Sequence, residues 1–191
     1  MGGVYSFIFL SGEPRIVLGP QYFMSILLFL IINFVNLLLM LFVYNQLHYI
    51  MKYIGLTIYI VQVLSQTICT LANPGIPHRN NYVSDSVMHT IYQSIKSNYL
   101  KFERYRVCKR CNILVTLDQQ VTHCEECNIC VEGMCYFINV DLDHHCVWIG
   151  KCIAKRNIWS FNVFIASTVI FGIFSILSLI GLVIINVASK L

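Results

Sequence analysis

Asp143, His144, His145 and Cys146 are consecutive in the chain. They place a carboxylate, two imidazoles and a thiol at the end of a cysteine-rich stretch, just ahead of a long apolar segment. A free cysteine has a pKa of about 8.5 and is mostly protonated at neutral pH. An imidazole beside it can take the proton, and a carboxylate can fix the tautomer of that imidazole. On an extended backbone neighbouring side chains point to opposite faces, so two adjacent histidines can serve two roles. A nucleophilic thiol at a lipid boundary suggests chemistry on lipid-like acyl groups.

The chain has nine cysteines. Seven fall between Cys108 and Cys146, Cys152 follows, and Cys69 stands apart within an apolar run. Cys108-x2-Cys111 is one paired knuckle, His123-Cys124-x2-Cys127-x2-Cys130 is a tighter run, and His145-Cys146-x5-Cys152 closes the set. Two thiolates spaced by x2 reach one tetrahedral Zn2+ from a single turn. In the cytosol such a cluster means metal or catalysis rather than disulfides; a disulfide scaffold is the alternative. Two zinc ions need eight ligands. Cys108, Cys111, Cys124, Cys127, Cys130 and Cys152 supply six, and His123 and His145 supply two. That count leaves Cys146 free of metal, as a nucleophile must be, although Cys135 and His144 could also ligate. With little apolar core of its own, this loop is expected to depend on metal for folding.

The elements that must position these residues are apolar. Hydrophobic residues make up 57% of the chain and charged residues 12%, far from a soluble average. Three uncharged runs account for this: Tyr22 to Tyr44, Tyr53 to Ala72 and Phe161 to Ala188. About 20 apolar residues span a bilayer as a helix, so each is expected to cross. The first has no small-residue cleavage site after it and is read as retained rather than removed as a signal peptide. The loop from Asn73 to Ser160 carries most of the Lys and Arg, including Lys155 and Arg156 near a span end, which predicts a cytosolic loop. The N-terminus then lies on the same side and the C-terminus on the other. A net charge of +4 is too small and too mixed to argue for nucleic acid.

The expected organisation is a cytosolic N-terminus (1–21), a first span (22–44), a short luminal link (45–52), a second span (53–72), a cytosolic linker (73–107), a cysteine-rich zinc domain (108–160), a third span (161–188) and a short end (189–191). The expected fold class is an all-α integral membrane protein with a cytosolic zinc-binding domain. Asn33 and Asn36, and Gln62 and Gln66, are expected to bond between helices. Gly2 with Ser6 fits an N-myristoylation pattern. The basic, aromatic stretch from Tyr92 to Arg110 suits either a headgroup surface or a solvated linker.

From Cys108 to Phe161 the chain resembles the DHHC-type protein S-acyltransferases, or palmitoyltransferases. The resemblance is carried by Cys-Lys-Arg-Cys at 108–111, His-Cys-Glu-Glu-Cys-Asn-Ile-Cys-Val at 123–131, Asp-His-His-Cys-Val-Trp at 143–148 and Gly-Lys-Cys-Ile-Ala-Lys-Arg-Asn-Ile-Trp-Ser-Phe at 150–161. Gly19-Pro20 and Asn73-Pro74-Gly75 look like further landmarks. The resemblance implies that Cys146 attacks a long-chain acyl-CoA such as palmitoyl-CoA and passes the acyl group to a juxtamembrane cysteine of a substrate protein. It implies His144 as general base, oriented by Asp143, and His145 as a zinc ligand. It implies one structural zinc on Cys108, Cys111, His123 and Cys130, and a second on Cys124, Cys127, His145 and Cys152. It also implies residence in the Golgi, endoplasmic reticulum or plasma membrane.

The chain departs from the family pattern in places. Family members usually have four spans, and three are visible here, which suggests a fragment or a helix borrowed from a partner. Eleven residues, Glu132 to Leu142, stand where about three are typical. Without Cys135 to Leu142 the family pattern returns, as a gene-model error would produce. Val147 follows the thiol where proline is usual, and Asn73 stands for the usual aspartate. An inactive zinc-stabilised membrane scaffold is therefore the second reading. A membrane-anchored RING-type ligase would need a closing Cys-x2-Cys pair, which the chain lacks.

Overall fold

The computed structural model describes residues 4–10, 13–77, 82–97, 105–108, 110–116, 121–133 and 144–189. Three helices dominate. The helix α1 spans Tyr22–Phe42, α2 spans Tyr49–Leu71, and the last helix spans Ile158–Ala188. A short 3-10 turn at Tyr44–Gln46 joins the first two. By length and composition all three can cross a membrane. Their outer faces expose Leu30, Phe34, Ile176 and Val183, as expected of helices immersed in hydrocarbon rather than water. The second helix begins at Tyr49, ahead of the uncharged run, and takes Lys52 into its first turn. It ends before Asn73-Pro74, because a residue preceding proline is driven out of the helical region; Ala72 is already extended.

Between α2 and the last helix lies the shorter amphipathic α3, Asp85–Ser97, so the last helix is α4. The helix α2 packs mainly on α4 and less on α1. The contacts use polar side chains, since lipid supplies no hydrophobic drive between helices. Gln62 Nε2 donates to Thr168 Oγ1 at 3.0 Å, Ser25 and Thr70 share a 2.7 Å hydroxyl bond, and Tyr44 bonds Ser175 at 3.0 Å. Tyr59 donates to Asn33 Oδ1. Asn36 bonds the carbonyl of Ile32 in its own helix, and Gln66 is buried without a partner among the described residues.

The all-α expectation is corrected by eight short strands among the described residues, paired as four antiparallel hairpins. They are β1 (Tyr5–Leu10) with β2 (Glu13–Leu18), β3 (Tyr105–Cys108) with β4 (Ile113–Thr116), β5 (Val121–Cys124) with β6 (Ile129–Glu132), and β7 (His144–Cys146) with β8 (Lys151–Ile153). Strands of three to six residues show too few alternations to stand out from a sequence. In β5–β6 and β7–β8 the hairpin brings a histidine and a cysteine to directly opposite positions, His123 with Cys130 and His145 with Cys152.

The hairpins join the helices through backbone contacts. Ile16 bridges Ala72 at the end of α2. Gly19 packs against Gly150 in the β7–β8 turn; a Cβ at Gly19 would lie 1.9 Å from the Gly150 carbonyl oxygen. Gly150 has φ +78° and in turn abuts the Gln21 carbonyl. Asn157 is fully buried; its Oδ1 accepts from Ala154 N at 2.8 Å and its Nδ2 donates to the Cys152 carbonyl at 3.0 Å, which fixes the turn into α4.

Candidate functional site

Two donor clusters form from the hairpins. One gathers Cys108, Cys111, His123 and Cys130; the other gathers Cys124, Cys127, His145 and Cys152, with the donor atoms of each within 4.8 Å of one another. Each cluster combines two units. A Cys-x2-Cys turn closes one hairpin, and a His–Cys pair faces it from directly opposite positions of the next. His123 pairs with Cys130 across β5–β6, and His145 pairs with Cys152 across β7–β8. The β5–β6 hairpin serves both clusters, its base facing one and its turn the other. His123 and Cys124 are adjacent in sequence and go to different clusters because side chains alternate along a strand.

The turns have the same backbone device. Asn112 and Asn128 each follow the second cysteine of a turn and adopt φ +53° and +51°. Asparagine tolerates this left-handed region better than most residues. The repeated Cys-x2-Cys-Asn was a usable sequence signal that pattern reading passed over. Within the second turn Cys127 N donates to Cys124 Sγ at 3.4 Å.

The donor chemistry fits zinc. A tetrahedral ion with Zn–S about 2.3 Å and Zn–N about 2.0–2.1 Å places sulfur and nitrogen about 3.5 Å apart. His123 Nδ1 lies 3.6, 3.2 and 3.9 Å from the sulfurs of Cys108, Cys111 and Cys130. His145 Nδ1 lies 3.6 and 3.3 Å from those of Cys124 and Cys127. All eight described cysteines are free thiols, so no disulfide competes among them. The sulfurs crowd one another: hydrogen bonds from Cys127 and Cys152 pull the Cys124 thiol far down, while the Cys127 thiol is pushed up to about 12 and Cys152 upward too. In the first cluster burial pushes Cys111 and Cys130 upward. Such crowding holds several thiolates only beside a cation, which a divalent metal supplies.

Second contacts orient the ligands. Gln21 Oε1 lies 3.0 Å from His145 Nε2. Accepting from this nitrogen leaves Nδ1 bare towards the sulfurs, which is the tautomer a metal needs. Lys151 is fully buried; its ammonium donates to the Val17 carbonyl at 2.8 Å and to that of Ala72. Burial pulls its pKa down to about 7, against the opposing charges of Cys69, Cys127 and Cys152. Gln21 is not marked by the sequence pattern, and Lys151 lies within the 150–161 stretch without being singled out there.

Cys146 belongs to neither cluster. It is 7% exposed and packs in an apolar cluster with Cys69, Ile149, Ile153 and Phe164, flanked by Leu28 and Ile32 of α1 and by Ile158 and Phe161 of α4. The beginnings of α1 and α4 and the end of α2 thus converge on the thiol. His144 precedes it by two residues on the same strand, hence on the same face, with its ring against Phe161 at 5.3 Å between centroids. His145 between them turns towards the sulfurs. Asp143, Cys135 and the extra segment 135–142 lie outside the described residues.

Residues 101–190 match the family model described as DHHC palmitoyltransferase. A palmitoyltransferase erf2 from Schizosaccharomyces pombe is 28% identical over 128 residues, covering 61% of this chain and 33% of the relative. A probable protein S-acyltransferase 6 from Arabidopsis thaliana is 34% identical, covering 39% of this chain and 16% of the relative. Palmitoyltransferase ZDHHC9 from Bos taurus is 36% identical, covering 34% and 15%. The chain thus spans a third or less of the length of these relatives. Over residues 101–190 the chain is similar to the DHHC palmitoyltransferase family.

Proposed function

We propose that the chain is a protein S-acyltransferase that moves a long-chain acyl group from acyl-CoA to substrate cysteines through an acyl-Cys146 intermediate. The observation that carries this reading is the placement of Cys146. Its thiol stands outside both donor clusters, buried in an apolar cluster where the ends of three membrane-length helices meet. An acyl chain threaded among those helices would bring its thioester to this level.

In the proposed reaction His144 takes the Cys146 proton, with Asp143 orienting the imidazole. The thiolate adds to the thioester carbonyl, and the carbon–sulfur bond to CoA breaks. The CoA thiolate leaves with the proton that His144 returns. A substrate thiol then gives its proton to His144 and attacks acyl-Cys146, which regenerates the enzyme thiol. The two Cys3His sets would each hold a structural Zn2+, whose chemistry is to gather and neutralise thiolates. His145 has no part in the proton transfers, since it faces the second set. The cysteine-rich segment is proposed to face the cytosol, where acyl-CoA is available. Substrates are proteins with cysteines near an endomembrane or the plasma membrane.

Autoacylation in membranes with a clickable palmitate analogue tests this. A hydroxylamine-sensitive label is expected on the wild-type chain and not on Cys146→Ala. A well-expressed, zinc-loaded chain without label would overturn the enzyme reading and leave a membrane scaffold.

A further inference from the structure

Lys151 is the cross-strand partner of Cys146. The two are directly opposite on the β7–β8 hairpin, and residues paired this way share one face, with Cβ atoms about 4.5–5.5 Å apart. They flank the turn at 147–150, which Gly150 N closes on the Cys146 carbonyl at 2.8 Å. The neighbouring pair, His145 with Cys152, lies on the other face, with the second donor set.

Lys151 is 0% exposed. An ammonium taken out of water is costly unless hydrogen bonds and charge compensate it, so its seat is specific. It donates to the Val17 carbonyl on β2 at 2.8 Å and to the Ala72 carbonyl. Ala72 is the C-cap residue of α2. The carbonyl end of a helix carries roughly half a negative charge, which suits a cation better than a neutral donor. Ile16 bridges Ala72, so the two acceptors belong to one joined corner of β2 and α2. The thiol opposite has no such directional hold from its apolar neighbours. Cys146 packs with Cys69 of α2 and Phe164 of α4, flanked by Leu28 and Ile32 of α1, and apolar contacts are non-directional. Gln21 N donates to the Gly150 carbonyl at 3.3 Å and Gly19 abuts Gly150, which ties the turn to the entry of α1. The Lys151 ammonium ties the same turn to the end of α2.

We propose that Lys151 is a positioning residue for Cys146: its ammonium, seated on the Val17 and Ala72 carbonyls, fixes the depth of the thiol relative to the ends of α1 and α2. This rests on the acyl-Cys146 reading. A thiol held at one depth meets a thioester carbonyl in the same geometry at each turnover. A hairpin free to shift by about 1 Å loses much of that advantage. The alternative is a staple that stabilises the fold and leaves the reaction alone.

The test uses the full chain in detergent, with autoacylation by palmitoyl-CoA followed over a single turnover and amide hydrogen exchange followed by mass. Lys151→Met keeps the stem and removes all three N–H groups. It is expected to lower the acylation rate at saturating palmitoyl-CoA by roughly tenfold or more. The half-saturating concentration is expected to stay unchanged, and exchange to quicken in β7–β8 but not in β5–β6. Lys151→Arg keeps charge and donors and is expected to recover most of the rate. An unchanged rate in Lys151→Met, or a loss that Lys151→Arg does not recover, would overturn the proposal. So would a change confined to the half-saturating concentration, or faster exchange throughout the chain. Should Lys151→Met fail to fold, Lys151→Gln, which keeps an N–H donor, is read the same way; failure of both makes Lys151 a residue of the fold and overturns the positioning role. A wild-type chain without label sinks the acyltransferase reading, and this inference with it. A labelled wild type with an equally fast Lys151→Met sinks only the inference.

Discussion

Gln21 Oε1 lies 3.0 Å from Nε2 of His145, although the two residues are 124 positions apart. The bond links the entrance of the first membrane-length helix to a member of the second donor set. It is asymmetric between the two sets, because His123 Nε2 is buried with no partner among the described residues.

Gln21→Leu is therefore expected to weaken zinc binding at the second centre by about tenfold or more, the usual cost of losing an outer-shell partner, and to spare the first. Competition with a chromophoric chelator measures this. Equal weakening of both centres would mean that the substitution acts through the fold and not through the imidazole.

The contact between Gly19 and Gly150 is backbone on backbone. A Cβ at Gly19 would meet the Gly150 carbonyl oxygen at 1.9 Å and Lys151 Cβ at 2.4 Å, and neither can swing aside as a side-chain tip does. Gly19→Ala is expected to cost roughly 1–3 kcal/mol, as overpacking does, and to lower the melting temperature in detergent. Gly172 in α4 has nothing within 4 Å of an added Cβ. Gly172→Ala should stay within about 0.5 kcal/mol of wild type and serves as the control.

The resemblance leads one to expect aspartate at position 73, and the structure gives the Asn73 amide a contact that aspartate could not make. Its Oδ1 accepts from Gly75 N at 2.9 Å and Ile76 N at 2.8 Å, as a carboxylate could. Its Nδ2 donates to the Pro14 carbonyl at 2.8 Å, which a carboxylate cannot do. Asn73→Asp is expected to destabilise by roughly 1–3 kcal/mol, since the Pro14 carbonyl loses its donor and meets a buried negative charge. The more exposed Arg156–Glu13 pair, at 2.7 and 3.2 Å, spans a similar gap. Glu13→Gln should cost under about 1 kcal/mol, as partly solvated ion pairs do. Thermal unfolding of the two variants side by side checks the order; a larger loss for Glu13→Gln would reverse the argument.

Much of this molecule could be read in the residue order. Uncharged runs of twenty or more residues leave few structures but membrane-length helices, because length and polarity decide that locally. Cysteine spacing of x2 confines two sulfurs to one turn, so the donor types were legible without a fold. The strands were not legible, being too short for their alternation to show. The family resemblance divided the eight donors between two sets, and the geometry gathers the same two groups of four.

Tertiary structure alone decided the rest. Gln21 meets His145, Lys151 reaches Val17 and Ala72, Gly19 rests on Gly150, and Asn73 bonds Pro14. In each, one partner comes from the segment around β2 and the start of α1. The order of residues marks some of these positions, such as Gly19, Asn73 and His145, but not which residue each one meets, because their meeting depends on how helix ends and hairpins pack. Local chemistry selects which residues offer metal-donor atoms or a free thiol. Long-range packing selects which neighbours orient the His145 ring and hold the hairpin that carries Cys146.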